Sequence, residues 1–140
     1  MLDWHHSMFG WLKSKIVPLE GAPAVRRQKT YQSQTGYVYQ YYFEGSRPAS
    51  SMLGGGYEFV FRVTADRKTE FPVSIHVGQK GMDTWQKLHG RELLSKERYA
   101  VAKLALFEAF DLSPNPIALR LPVHADAISV QKFLARLGRD

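Results

Sequence analysis

At 140 residues the chain has the length of one ordinary domain and can bury a core without a metal or crosslink. With no cysteine, disulfides, cysteine catalysis and thiolate metal sites are excluded. The formal charge of +6 favours an anionic partner, but its distribution is uneven: net +3 over 1–30, zero over 31–78 and +3 over 79–140.

No apolar run approaches the roughly 18 residues of a membrane-spanning helix. The N-terminal residues lack the compact apolar stretch of a secretory signal, so cytoplasmic residence is expected. Residues 3–17 place Trp4, Met8, Trp11, Leu12 and Ile16 at helical spacing, with Asp3 as a cap and Pro18 as a stop. They predict a short amphipathic helix. Residues 18–30, with two prolines and one glycine, read as an irregular arm. Helix and arm together make 1–30 an N-terminal extension of a single domain spanning 1–140.

Three strand signals follow. Tyr37–Glu44 is dense in aromatic and β-branched residues, while Tyr57–Thr64 and Phe71–Val77 alternate. A long glycine-containing loop joins the first two, and a charged turn at Asp66–Glu70 joins the second and third. Odd-numbered positions are apolar throughout. A register pairing Phe43 with Phe59 and Phe59 with Val77 sends that face into a helix-covered core. Six of the seven tyrosines lie within 31–57, most of them on this apolar parity, so they read as core and not as a base-stacking surface.

Residues 82–94 suggest a short helix broken at Gly90. Ser95 is expected to cap a broad-faced helix from Lys96 to Phe110. Ile117, Leu119 and Leu121 alternate and predict a fourth strand. Asp126 is expected to cap a last helix carrying Ile128, Val130, Phe133, Leu134 and Leu137. The expected fold is α+β, an antiparallel meander of three to four strands packed on one face by helices, in the order α-β-β-β-(α)-α-β-α.

The even-numbered sheet face is polar, and Gln40, Tyr42, Arg62, Ser74 and His76 are its candidate ligand-binding residues. A second set, Arg26, Arg27, Lys29, Arg67 and Lys68, is the candidate nucleic-acid surface, since phosphate binding requires several cations together. Ser50–Gly56 ends in three glycines but leads into a strand and lacks the lysine of a phosphate loop, so it reads as a hairpin connection with lid potential. The five histidines have no metal-ligand spacing, and no metal or cofactor is expected. No local motif marks a catalytic residue. His76 and His89 are the acid–base candidates of an enzymatic reading, while His124, two residues before Asp126, carries no specific signal. The leading expectation is a small non-catalytic binding or protein-interaction module, with a homodimer or another protein as partner. The alternatives are a nucleic-acid-binding protein using the basic arm and helices, and a metabolite-binding protein or enzyme using the polar sheet face.

Overall fold

A computed structural model describes residues 17–138. The predicted N-terminal helix lies outside them except for Val17. Five strands form one sheet in chain order: β1 (Lys29–Gln32), β2 (Val38–Pro48), β3 (Tyr57–Thr64), β4 (Glu70–Val77) and β5 (Val123–Ala125). The first four pair antiparallel, and β5 joins β4 in parallel. The sheet curls into a half-barrel. Between β4 and β5 run helices α1 (Gln79–His89) and α2 (Ser95–Leu112) and a 3-10 turn at Pro116–Arg120, and α3 (Ala127–Arg136) closes the described chain.

The expected antiparallel meander of three to four strands is corrected on three counts. The sheet has five strands, is mixed, and includes part of the supposed arm. β1 is an edge strand of four residues with one aromatic, Tyr31, too short and too polar to show alternation. Residues Ile117–Leu121 are not a strand. Asn115 accepts from the Ala118 N–H at 3.3 Å and Pro116 occupies the first helical position, which winds the segment into a 3-10 turn. Of its alternating apolar residues only Leu119 is buried. The strand lies just beyond, in three residues. A parallel partner requires a long crossover, and α1 and α2 supply it.

The facing prediction holds, although the register is shifted. Phe43 lies opposite Phe61, and Phe59 opposite Ile75, each two residues from the expected partner. A slip of two preserves the face because the side-chain period is two. Phe59, Phe61, Val63, Val73, Ile75 and Val77 are all buried, in one core with residues of the three helices. Tyr39 stacks on Phe110 with centroids 4.3 Å apart, Tyr31 on Phe107 at 4.5 Å, and Phe43 meets Tyr99 edge-on at 4.9 Å. Tyr39 and Tyr41 are thus core, as their parity indicates, whereas Tyr37 at the strand entrance is exposed.

The helix ends follow local chemistry. α1 stops at Gly90, whose left-handed backbone returns its N–H to the Gln86 carbonyl. α2 opens without a hydroxyl cap. Instead Glu97 accepts from the Leu94 N–H at 2.8 Å and is held from the other side by both arms of Arg91, at 2.8 and 2.9 Å. Asp126 caps α3 by accepting from the Ser129 N–H, as expected. In the β3–β4 turn, Asp66 accepts from the Lys68 and Thr69 N–H groups, both at 2.8 Å, which holds Arg67 at a left-handed φ.

Candidate functional site

The sheet face opposite α2 carries the polar residues, and one irregularity decides which of them meet. Phe43 pairs with Phe61, but Gly45 pairs with Val60, so Glu44 is an extra residue in β2. Beyond this bulge the parity of β2 is reversed, and odd-numbered Arg47 joins the even-numbered face of β3. The bulge also admits the N-terminal arm. Glu20 and Ser46 exchange two backbone hydrogen bonds of 2.8 Å, and a Cβ at Gly45 would lie 2.8 Å from the Glu20 carbonyl oxygen.

Arg47 lies opposite Glu58 and donates from Nε to its carboxylate at 2.7 Å, and from Nη1 to the Val17 carbonyl at 3.2 Å. Ser74 donates its hydroxyl to the second carboxylate oxygen of Glu58. Burial alone would raise the Glu58 carboxyl. The hydrogen bonds from Ser74 and Arg47 and the charges of Arg47 and His76 outweigh it, and hold the group below the usual carboxylate range. Glu58 is therefore an ionised, fully engaged anion at the base of the site.

His76 lies beside Glu58 in the ladder and beside His124 of β5, in register. Neighbours in register project to the same face, so the parallel pairing sets the two imidazoles together. Their Nδ1 atoms are 3.1 Å apart, with the rings nearly perpendicular. His76 Nε2 lies 2.7 Å from the Gly55 carbonyl oxygen. A carbonyl can only accept, so Nε2 carries a proton. In the uncharged pair His76 Nδ1 is then the acceptor and His124 Nδ1–H the donor. His124 Nε2 has no protein partner among the described residues.

These side chains border a cleft of about 450 Å³, whose apolar wall is Val17, Pro48, Ala49, Leu53 and Pro122. Leu53, His76 and His124 also border a neighbouring lobe of about 430 Å³ that reaches Lys80 and Asp126. The glycine loop contributes Leu53 as wall and Gly55 as anchor. Gly56 holds the loop down: its φ is +90°, and a Cβ there would lie 2.1 Å from the Val77 carbonyl oxygen.

Of the five predicted ligand residues, Ser74 and His76 line this cleft, while Gln40, Tyr42 and Arg62 sit at the other end of the same face. Arg62 is paired with Glu44, Tyr42 lies opposite Arg62, and Gln40 lies opposite Thr64. Arg47 escaped the sequence reading because the bulge reverses parity. His124 escaped because a three-residue strand has no readable alternation, Glu58 because single carboxylates on polar faces are common. His89, the other acid–base candidate, is withdrawn from the cleft. It stacks on Trp85 at 4.2 Å and lies 3.0 Å from the Trp85 carbonyl oxygen.

The basic set comes from three segments of the chain. Arg26 sits 5.3 Å above the Tyr42 ring, Arg27 is exposed, and Arg67 and Lys68 belong to the β3–β4 turn. Lys29 lies in β1 beside Lys103 of α2, whose ammonium is pushed down by burial and by Lys29. Among the described residues no cluster of three histidine or carboxylate groups has the geometry of a metal site, and no helix is long and apolar enough to cross a membrane. Comparison with protein-family models, with curated proteins and with solved structures finds no match for this chain.

Proposed function

We propose that this chain is a small-ligand-binding domain, and that its ligand occupies the cleft lined by Arg47, Glu58, Ser74, His76 and His124. The observation that carries this reading is the His76–His124 contact beside an engaged Glu58 carboxylate, in a cleft whose remaining wall is mostly apolar. Small-molecule sites combine a mostly apolar wall with a few convergent polar groups, and their volumes run from about 300 to 1,000 Å³. This cleft has that composition and a volume within the range. Its ligand is a compact, largely apolar molecule with one hydrogen-bonding head group, the apolar part lying along Pro48, Ala49, Leu53 and Pro122.

Binding without turnover is the simplest activity of this arrangement. Ser74 donates a hydrogen bond from its hydroxyl to Glu58, a carboxylate held below its usual range and so a weak base for activating a nucleophile.

The test is a thermal-shift and calorimetric screen against small carboxylates, amides and alcohols with apolar tails, on wild type and on Ala49→Trp. An indole at position 49 fills the cleft while leaving the backbone hydrogen bond from Ala49 to Gly56 in place. Saturable binding by wild type that Ala49→Trp abolishes supports the reading. Binding that Ala49→Trp leaves unchanged, or no binding across the series, removes it.

A further inference from the structure

We infer that the cleft selects a carboxylate monoanion and takes up a proton on binding it, with His124 Nε2 as the atom that receives the proton and faces the head group. This rests on the cleft being a ligand site.

The argument is a count of hydrogen positions. The Gly55 carbonyl requires a proton on His76 Nε2. The Nδ1···Nδ1 contact of 3.1 Å requires one proton between the rings. Those two protons make the pair uncharged. A third has one place left, His124 Nε2, and the pair is then a single shared cation. A fourth would set two N–H groups against each other across that contact, so the pair holds at most one positive charge.

The fixed charges around the pair nearly cancel. Arg47 of β2 is tied to Glu58 of β3. Lys80 of α1 and Asp126 at the start of α3 border the adjoining lobe. Ser74, beside His76 on β4, is uncharged, and His124 is the titratable residue of β5. Within the cleft itself the one fixed cation, Arg47, is already paired, and Lys80 lines only the adjoining lobe, so the further positive charge available to an arriving carboxylate there is the one the histidines can generate. The third proton gives His124 two donors, one satisfied by His76 Nδ1 and the other directed at the ligand. One generated charge matches one negative charge, so a carboxylate fits and a phosphate dianion is undercompensated.

Titration calorimetry with octanoate and octanamide, each in phosphate and in Tris at one pH, tests this. The two buffers differ in ionisation enthalpy, so proton uptake appears as a buffer-dependent binding heat. Wild type is expected to take up a substantial fraction of one proton with octanoate and none with octanamide. His124→Asn, which keeps a donor at the Nδ1 position but has no Nε2, is expected to bind octanoate about tenfold more weakly without uptake. Octanoate bound with buffer-independent heat, or with uptake unchanged in His124→Asn, overturns the inference and leaves the ligand site standing. Failure of both probes, on a protein that Ala49→Trp shows to have no saturable site, overturns inference and site together.

Discussion

Gly56 links the glycine loop to both the fold and the site, and its substitution has a calculable outcome. Its φ is +90°, and an added Cβ would lie 2.1 Å from the Val77 carbonyl oxygen, 2.7 Å from the Gln79 nitrogen and 2.9 Å from the Gly78 carbonyl carbon. All three are backbone atoms at the β4–α1 junction, and none can rotate away. Gly56→Ala therefore adds overpacking, about 1–3 kcal/mol, to a left-handed penalty of about 1–2 kcal/mol. The expected loss is about 2–5 kcal/mol, or a fall in Tm of roughly 8–20 °C at about 4 °C per kcal/mol for a chain of this size. Gly54 is the control. Its φ is +92°, but nothing lies within 4 Å of its added Cβ, so Gly54→Ala keeps only the conformational penalty. Thermal unfolding followed by far-UV circular dichroism measures both. Equal shifts for the two variants would refute the steric reasoning. Because Gly55 anchors His76, Gly56→Ala should also weaken ligand binding more than Gly54→Ala does.

Other outcomes follow from the polar network. Arg91→Ala removes two donors from Glu97, whose side chain is 2 % exposed, so it should lower the urea midpoint clearly. Lys132→Ala, which breaks an exposed pair with Glu108, should change stability by no more than about 0.5 kcal/mol, and a larger effect than Arg91→Ala would contradict this ordering. Asp66 is held at about 2, below its ordinary 3.8, chiefly by the Thr69 and Lys68 N–H groups. A folded value below the unfolded one means stability complete above 3.8 and lost as pH falls toward about 2, so Asp66→Asn should flatten that part of the acid unfolding profile. The phenol of Tyr41 is pushed up to about 12 by burial and by Tyr99, and that of Tyr31 to about 12 by burial and by Asp111. Ultraviolet titration should show both ionising well after the ordinary tyrosine range, a delay that Asp111→Asn shortens for Tyr31.

What the sequence displayed was facing, and what it concealed was adjacency. Alternation in Tyr57–Thr64 and Phe71–Val77 told inside from outside because those strands are long and evenly buried on one side. The caps at Asp126 and Gly90 were legible because they are local chemistry. Register was not legible, since shifts of two residues leave the hydrophobic pattern untouched. Nor was β5, whose three residues become a strand only because the crossover brings them alongside β4. Ser74 and His76 were identifiable as polar groups on a polar face, but their partners were not. Arg47 has the parity of the core until Glu44 is bulged out, and His124 lies 48 residues from the ring it touches.

Bulge and crossover act on the same four-residue stretch of sheet, and this explains why polar groups converge there and not at the opposite end. Toward the β3–β4 turn the ladder is regular, with Tyr42 opposite Arg62 and Gln40 opposite Thr64, and Arg62 reaches back to the bulge residue Glu44. Toward the other end, β2 is displaced by its extra residue and β5 adds a strand that exists nowhere else on the sheet. Arg47 arrives from one side and His124 from the other, with Glu58, Ser74 and His76 between them. An extra residue in β2 alone would give an ordinary surface ion pair, and β5 alone a histidine pair without a neighbouring anion. Deleting Glu44 closes the bulge but leaves Gly45, Ser46 and Arg47 opposite Val60, Phe59 and Glu58, so the Arg47–Glu58 pair and the His76–His124 contact should both persist while Arg62 loses its partner. Loss of ligand binding in that variant would show that the extra residue does more for the cleft than set the side to which Arg47 points.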